Sequence, residues 1–175
     1  MSEFVRIPAE RVKVLRGRDG AAKRKLEKRC NVELVIDSEG EIEILGDPAD
    51  IFFARDVVKA VGRGFTPEYA LKLLDHDFGL YIIPLKEMIS SENALVRIKG
   101  RIIGEKGRVK SAIEEATDAY ISVYGNTVAI IARIDGMEYA KEAVGMLIDG
   151  ARHTSVLSYL ARAKRELIES RLKGR

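Results

Sequence analysis

The chain has a single cysteine, Cys30, among 175 residues. An intrachain disulfide and a multi-cysteine zinc site are therefore excluded, and a reducing compartment is expected. No apolar run approaches the length that crosses a bilayer. The opening Met1-Ser2-Glu3-Phe4 also lacks the basic stretch and apolar core of a secretory leader. A cytoplasmic protein that does not enter a membrane is the expectation. Prolines number only 4, against 33% charged residues, which predicts an ion-rich surface of the kind that suits a heat-loving source. The phosphate-binding pattern Gly-x-x-x-x-Gly-Lys-Ser/Thr is missing as well, which argues against a P-loop nucleotide site.

What is present is a repeat. Gly17-Arg18-Asp19-Gly20 returns as Gly104-Glu105-Lys106-Gly107 at an offset of 87 residues. The same offset aligns Lys23 with Lys110, Leu26 with Ile113, Glu27 with Glu114, Cys30 with Thr117, Leu34 with Ile121 and Ile36 with Val123. A glycine pair alone is weak evidence. A glycine pair followed by the same apolar and charged positions, twice, predicts two copies of one small unit.

Net charge is only +3, but it is unevenly spread. Nine residues between Arg11 and Arg29 are basic, opposed only by Asp19 and Glu27. The following segment, Asn31 to Asp50, holds seven acids and no base. One side of the first unit should attract an anion and the other repel it. A basic run is often no more than a solvated helix face; here it contains a glycine turn, which favours a binding role.

Period and turn signals predict the same order, βααββα, in both copies. In the first, a strand at Phe4–Ile7 precedes a short helix at Glu10–Leu15, the glycine turn and a helix at Ala21–Cys30. A hairpin of Val32–Ile36 and Glu41–Leu45 follows, and Asp47-Pro48 starts a closing helix over Ala49–Val61. In the second, the expected strand is Leu95–Ile98 and the short helix Gly100–Ile103. The later helix is Arg108–Thr117, and the hairpin pairs Ala119–Val123 with Thr127–Ala132. Asp135 and Glu138 resemble a capping box for Met137–Ile148. The intervening segment is rich in Phe, Tyr, Leu and Ile and contains a short helix from Thr66 to Leu74, so the units should be rigidly docked. The predicted divisions are 1–62, a connector 63–91, 92–150, and a basic amphipathic helix in 151–175 with Val156, Leu160, Ala163 and Leu167 on its apolar face.

The order and the turn together resemble the KH domain. The second unit matches best, in Ile102-Ile103-Gly104-Glu105-Lys106-Gly107-Arg108-Val109-Lys110 followed by Ile113, Glu114, Thr117, Ala119 and Ile121. The resemblance implies an α+β fold of two type I KH domains, each a three-stranded sheet packed by helices, plus a C-terminal helix. The tandem arrangement, Gly62 to Glu68 and Asp149 to His153 further resemble archaeal KH proteins of small-subunit ribosome assembly. These are counterparts of the eukaryotic factor that partners the endonuclease maturing the 3′ end of small-subunit rRNA. The resemblance implies a monomeric RNA-binding factor without cofactor or catalytic activity. It names as partners the rRNA 3′ region, the maturation endonuclease and the alpha subunit of translation initiation factor two.

The chemistry of the turn supports RNA independently. Glycines flanking a two-residue turn let backbone approach a phosphodiester chain, and the turn opens onto helix amides that favour phosphate. Gly104 and Gly107 would hold sugar-phosphate, with Arg101, Glu105, Lys106, Arg108 and Lys110 around them. Ile102, Ile103, Val109 and Ile121 are candidates for the groove or its floor, where bases of a single strand would lie. The first unit offers Gly17, Arg18, Asp19, Gly20, Lys23 and Arg24, but has Arg16 in place of Ile103 and Ala22 in place of Val109. A charged groove position predicts electrostatic support there and sequence-selective contact in the second unit. The alternatives are a KH-fold scaffold that binds assembly or translation proteins, and a hydrolase. For the latter, Asp75-His76-Asp77 reads better as a solvated turn, and Asp149, His153 and Ser155 lack a nucleophile elbow.

Overall fold

The computed structural model describes residues 1–174; Arg175, the last residue of the expected C-terminal segment, lies outside the described residues. The chain divides into two compact units, Met1–Leu80 and Tyr81 onward.

The first unit begins with β1 (Ser2–Arg6), a 3-10 turn at Ala9–Arg11 and α1 (Val12–Arg16). The glycine turn leads into α2 (Ala21–Cys30), then β2 (Glu33–Ile36), β3 (Glu41–Leu45) and α3 (Pro48–Gly62). The strands form one antiparallel sheet in the order β1-β3-β2. Alternation decides its faces: Ile42 and Ile44 are fully buried, while Glu41 is exposed and Glu43 half-buried. Leu15 and Leu26 from the helix pair and Ala54, Val57 and Val58 from α3 join Ile42 and Ile44 among the buried residues of this unit. Asp47 occupies the N-cap of α3 with Pro48 in its first turn, although the Asp47 side chain makes no capping hydrogen bond. A short helix, α4 (Pro67–Ala70), and a 3-10 turn at Leu71–Leu74 complete the unit.

The second unit repeats the plan with longer strands and a longer helix before the glycine turn. They are β4 (Phe78–Pro84), α5 (Leu85–Met88), α6 (Glu92–Ile103), α7 (Arg108–Thr117), β5 (Ala119–Tyr124), β6 (Thr127–Arg133) and α8 (Ile134–Ile148). The sheet order is β4-β6-β5, the same as in the first unit. The last element, α9 (His153–Lys173), buries Val156, Leu160, Ala163 and Leu167, the face its sequence periodicity predicts, and packs on α7 and α8.

Three expectations are corrected. Leu95–Ile98 is not a strand but the middle of α6, and Gly100–Ile103 is that helix's last turn. Leu95, Ile98 and Ile102 recur at helical spacing and are buried, and Ser91 caps the helix by accepting the Ala94 amide at 3.3 Å. The unit's first strand lies earlier, at β4, so the expected connector 63–91 splits: α4 and its 3-10 turn lie within the first unit, while β4 and α5 lead into the second sheet. Finally, α8 starts at Ile134 without a side-chain cap. The expected capping residues are used otherwise, Asp135 by Arg171 at 2.9 Å and Glu138 by Lys141 at 3.1 Å.

Candidate nucleic-acid interface

The two glycine turns share one backbone. Gly17 and Gly104 end their helices at φ 71° and 75°, and Gly20 and Gly107 open the next at φ 75° and 74°. Between them Asp19 and Lys106 are held left-handed, at φ 53° and 55°. The first glycine of each pair is sterically required. A Cβ on Gly104 would sit 2.8 Å from the Val109 nitrogen and 2.5 Å from its Cγ2, and one on Gly17 would sit 2.7 Å from the Ala22 nitrogen. Around Gly107 there is open space, so only its dihedral angle asks for glycine. Neither α2 nor α7 has a side-chain cap, so no capping side chain competes with an anion for the first-turn amides.

Beside the second turn, α6 presents one exposed face of Val96 (66% exposed), Gly100 and Ile103 (37%) at spacings of four and three residues. Gly100 is a residue the sequence reading passed over. A glycine inside a helix costs about 0.5–1 kcal/mol relative to alanine, and a Cβ added at Gly100 meets nothing within 4 Å. Nothing in this chain needs the missing methyl group, so the room is available to a ligand. The available signal was a glycine four residues before Gly104.

Opposite this face lies the sheet edge. β2 and β5 are edge strands. The Leu34 amide donates outward to Glu27 Oε1 at 2.9 Å, and the Ile121 amide donates to Glu114 Oε2 at 3.0 Å. The same glutamates pair with Lys23 at 3.6 Å and Lys110 at 3.1 Å. The repeat's aligned residues thus form one device, in which a carboxylate ties the helix after the turn to the strand edge. Its members were visible as matched positions, but their contact was not.

The remaining candidates divide. Arg18, Glu105, Lys106 and Arg108 are exposed around the turns. Ile102 and Ile121 are buried at 0% and 4% exposure, so they belong to the core and not to a contact surface; Val109 is partly buried against that core. Arg101 is used structurally, donating to the carbonyls of Leu147 (2.6 Å) and Ala151 at the end of α8. Arg24 folds back onto its own turn, donating to the Asp19 carbonyl at 2.7 Å, and Arg16 donates to the Ile36 carbonyl at 2.8 Å.

The candidate hydrolytic groups have other roles. Asp75 Oδ1 accepts the Asp77 amide at 2.9 Å, and His76 packs edge-on against Phe53 with ring centroids 5.0 Å apart. His153 is exposed at the first position of α9. Among the described residues no group of three or more His, Cys, Asp or Glu side chains is placed to hold a metal ion. Burial raises the Cys30 thiol to about 11, well away from a reactive thiolate. Among the described residues no helix is long and apolar enough to cross a membrane.

Comparison with known proteins agrees with this geometry. Residues 79–165 match the family model of the second PNO1-type KH domain, a eukaryotic-type KH domain (KH-domain type I). Over 174 residues the chain is 42% identical to a KH domain-containing protein of Methanocaldococcus jannaschii, covering 97% of this chain and 77% of that protein. Among solved structures it resembles Dim2p from Pyrococcus horikoshii, with 45% identity, a TM-score of 0.87 and coverage of 93% of this chain and 99% of that one. A chain from a crystal structure of an a/eIF2alpha–aDim2p–rRNA complex of the same organism gives 45% identity, a TM-score of 0.88 and 95% coverage of both. Likeness of this order along nearly the whole chain places it in the family of archaeal KH-domain RNA-binding proteins to which Dim2p belongs.

Proposed function

We propose that this protein is a ribosome-assembly factor that holds a single-stranded segment at the 3′ end of small-subunit rRNA, chiefly through its second unit. The observation that carries the reading is the surface around Gly104–Gly107. Uncapped helix amides and exposed Lys106 and Arg108 stand beside the apolar Val96–Gly100–Ile103 face, across from the edge of β5. Phosphate would sit on the turn and the start of α7. Bases would lie on the apolar face, with their edges toward the strand backbone.

Similarity to a protein crystallised with rRNA and a/eIF2alpha supports rRNA as the RNA and the initiation factor's alpha subunit as a partner. The endonuclease that matures the same RNA end is the further partner to which the family resemblance points. The acidic stretch from Glu33 to Asp50 disfavours RNA on the far side of the first unit.

The test is binding of a short RNA copying that 3′ end, against a scrambled RNA, across a salt series. Lys106→Glu/Arg108→Glu is preferable to substitution of Gly104, which would break the turn itself. It is expected to abolish the preference for the 3′-end sequence and to flatten the salt dependence by more than one unit of slope, at about 0.7 per phosphate contact. If this variant binds both RNAs as the unaltered chain does, the protein-scaffold alternative replaces this reading.

A further inference from the structure

We infer that Arg16 is a specificity-determining residue: its guanidinium occupies the base-reading edge of the first unit, so that this unit holds RNA backbone without selecting bases. The inference rests on the RNA-binding reading above and deepens it for the unit that departs from the pattern.

Strand phase decides which backbone groups of β2 face outward. β2 is an edge strand, so alternate residues turn their N–H and C=O away from β3 and toward the open side. The Asp37 amide donates to the Glu41 carbonyl at 3.1 Å, which places the ladder bonds at odd-numbered residues and turns Leu34 and Ile36 outward. The outward Leu34 amide is bound by Glu27. The next outward acceptor is the Ile36 carbonyl, and Arg16 Nη2 donates to it at 2.8 Å.

Arg16 is the last residue of α1, immediately before the glycine turn. Its side chain therefore spans the gap between helix and strand, in a groove of about 360 Å³ that it lines with Glu10, Val12, Lys13, Gly17 and Ser38. A base laid in that groove would meet a hydrogen-bonded cation where it needs an apolar surface and an open acceptor. Phosphates would still find a positive rim, since Lys13 and Arg18 are exposed beside it.

The second unit supplies the internal control. There Ile103 replaces Arg16, Gly100 replaces Lys13, and Val123 stands at the position of Ile36. An isoleucine side chain cannot donate to the Val123 carbonyl. The backbone of the two turns is the same to within a few degrees, so side chains separate the two edges, and Arg16 is the one bonded to the strand.

The test uses the full chain with the second turn silenced by Lys106→Glu/Arg108→Glu. Binding of oligo-A, oligo-C and oligo-U is measured across a salt series, with Arg16 intact and as Arg16→Ile and Arg16→Lys. Retained circular dichroism and a shift of the Asp37 amide signal in Arg16→Ile would establish that the strand edge was released in a folded protein. With Arg16 intact, weak binding that is indifferent to sequence is expected. Arg16→Ile should keep most of the salt slope, which Lys13 and Arg18 set, while separating the best from the worst oligonucleotide by about tenfold, as one added base-edge contact would. Arg16→Lys should keep the salt slope and stay indifferent. Equal weakening toward all three oligonucleotides in Arg16→Ile would overturn the inference, leaving Arg16 a phosphate contact alone. Unaltered RNA binding by the chain carrying only Lys106→Glu/Arg108→Glu would instead overturn the parent reading.

Discussion

The two units hold the same turn on differently charged helices. Lys23 and Lys110 match, but Arg24, Lys25, Lys28 and Arg29 of α2 correspond to Ser111, Ala112, Glu115 and Ala116 of α7. The difference follows what covers each helix. On α7 the small residues let α9 approach, and Glu115 and Asp118 receive Lys164 (3.5 Å) and Arg171. On α2 the same face meets the Leu71–Leu74 turn and α4, where Lys25 pairs with Glu68 at 3.8 Å, and Lys25, Arg29, Lys72, Glu68 and Asp75 line an open concavity of about 460 Å³. Backbone that shapes a phosphate site is thus separable from the side chains that decide what else the unit does. Glycine positions and one glutamate preserve the first; the positions of Arg16 and Ile103, and of Lys13 and Gly100, vary the second.

The comparison can be broken most forcefully at the shared glycines. Gly17→Ala and Gly104→Ala should each destabilise their own unit by about 3 kcal/mol, combining a left-handed alanine with a clash against backbone. Gly107→Ala, which faces open space, should cost only the left-handed conformation, about 1–2 kcal/mol. Urea denaturation followed by circular dichroism, with hydrogen exchange to assign the unit, measures all three. Equal effects of Gly104→Ala and Gly107→Ala would show that the clash is relieved by movement of α7.

A sharper contrast comes from the groove face. Gly100→Ala should raise stability by about 0.5–1 kcal/mol, the ordinary helical gain, and at the same time weaken RNA binding. Lys13→Ala, at the matched position of the first unit, should leave stability nearly unchanged. A stabilised Gly100→Ala chain with full RNA affinity would refute the idea that the space serves a ligand.

The smallest effect lies in acid. Arg171 hydrogen-bonds Asp135 and holds its carboxyl below the usual aspartate value. Stability from this pair is therefore fully present above the unfolded-state pKa, near 4, and lost as pH falls through the lower folded value. The matched position in the first unit, the second residue of its closing helix, is Ala49, which carries no such group. Asp135→Asn should remove up to about 1 kcal/mol at neutral pH, discounted for the pair's exposure, and less below pH 4. Hydrogen exchange in α8 and α9 against α3 reads the difference.

How much was legible follows from the range of each signal. The second helix of each repeat, Ala21–Cys30 and Arg108–Thr117, was readable to the residue because a glycine turn starts it and a matched apolar pattern fills it. The first strand of the second unit was misplaced because the offset of 87 holds only from α1 and the last turns of α6 to the end of β2 and β5. Before the turn α6 is longer than α1, so the strand recedes to β4, where an apolar run read as connector. In the site, Arg16 and the glycines were visible as departures from a pattern and as backbone needs. For Ile102 and Ile121 the choice between groove and floor stayed open, because periodicity locates an apolar residue without saying which side of the helix or strand faces the core; both are buried. The partners of Arg101 and Glu114 depend on elements that only the fold brings together.

The carboxylates of Glu27 and Glu114 have one more consequence. An edge strand with a row of unused amides is a template on which a neighbouring chain can build a cross-strand aggregate. Each glutamate takes one of those amides and puts a negative charge in the path of an incoming strand. Under the RNA-binding reading proposed above, which needs an open sheet edge, the two glutamates would guard that edge against self-association.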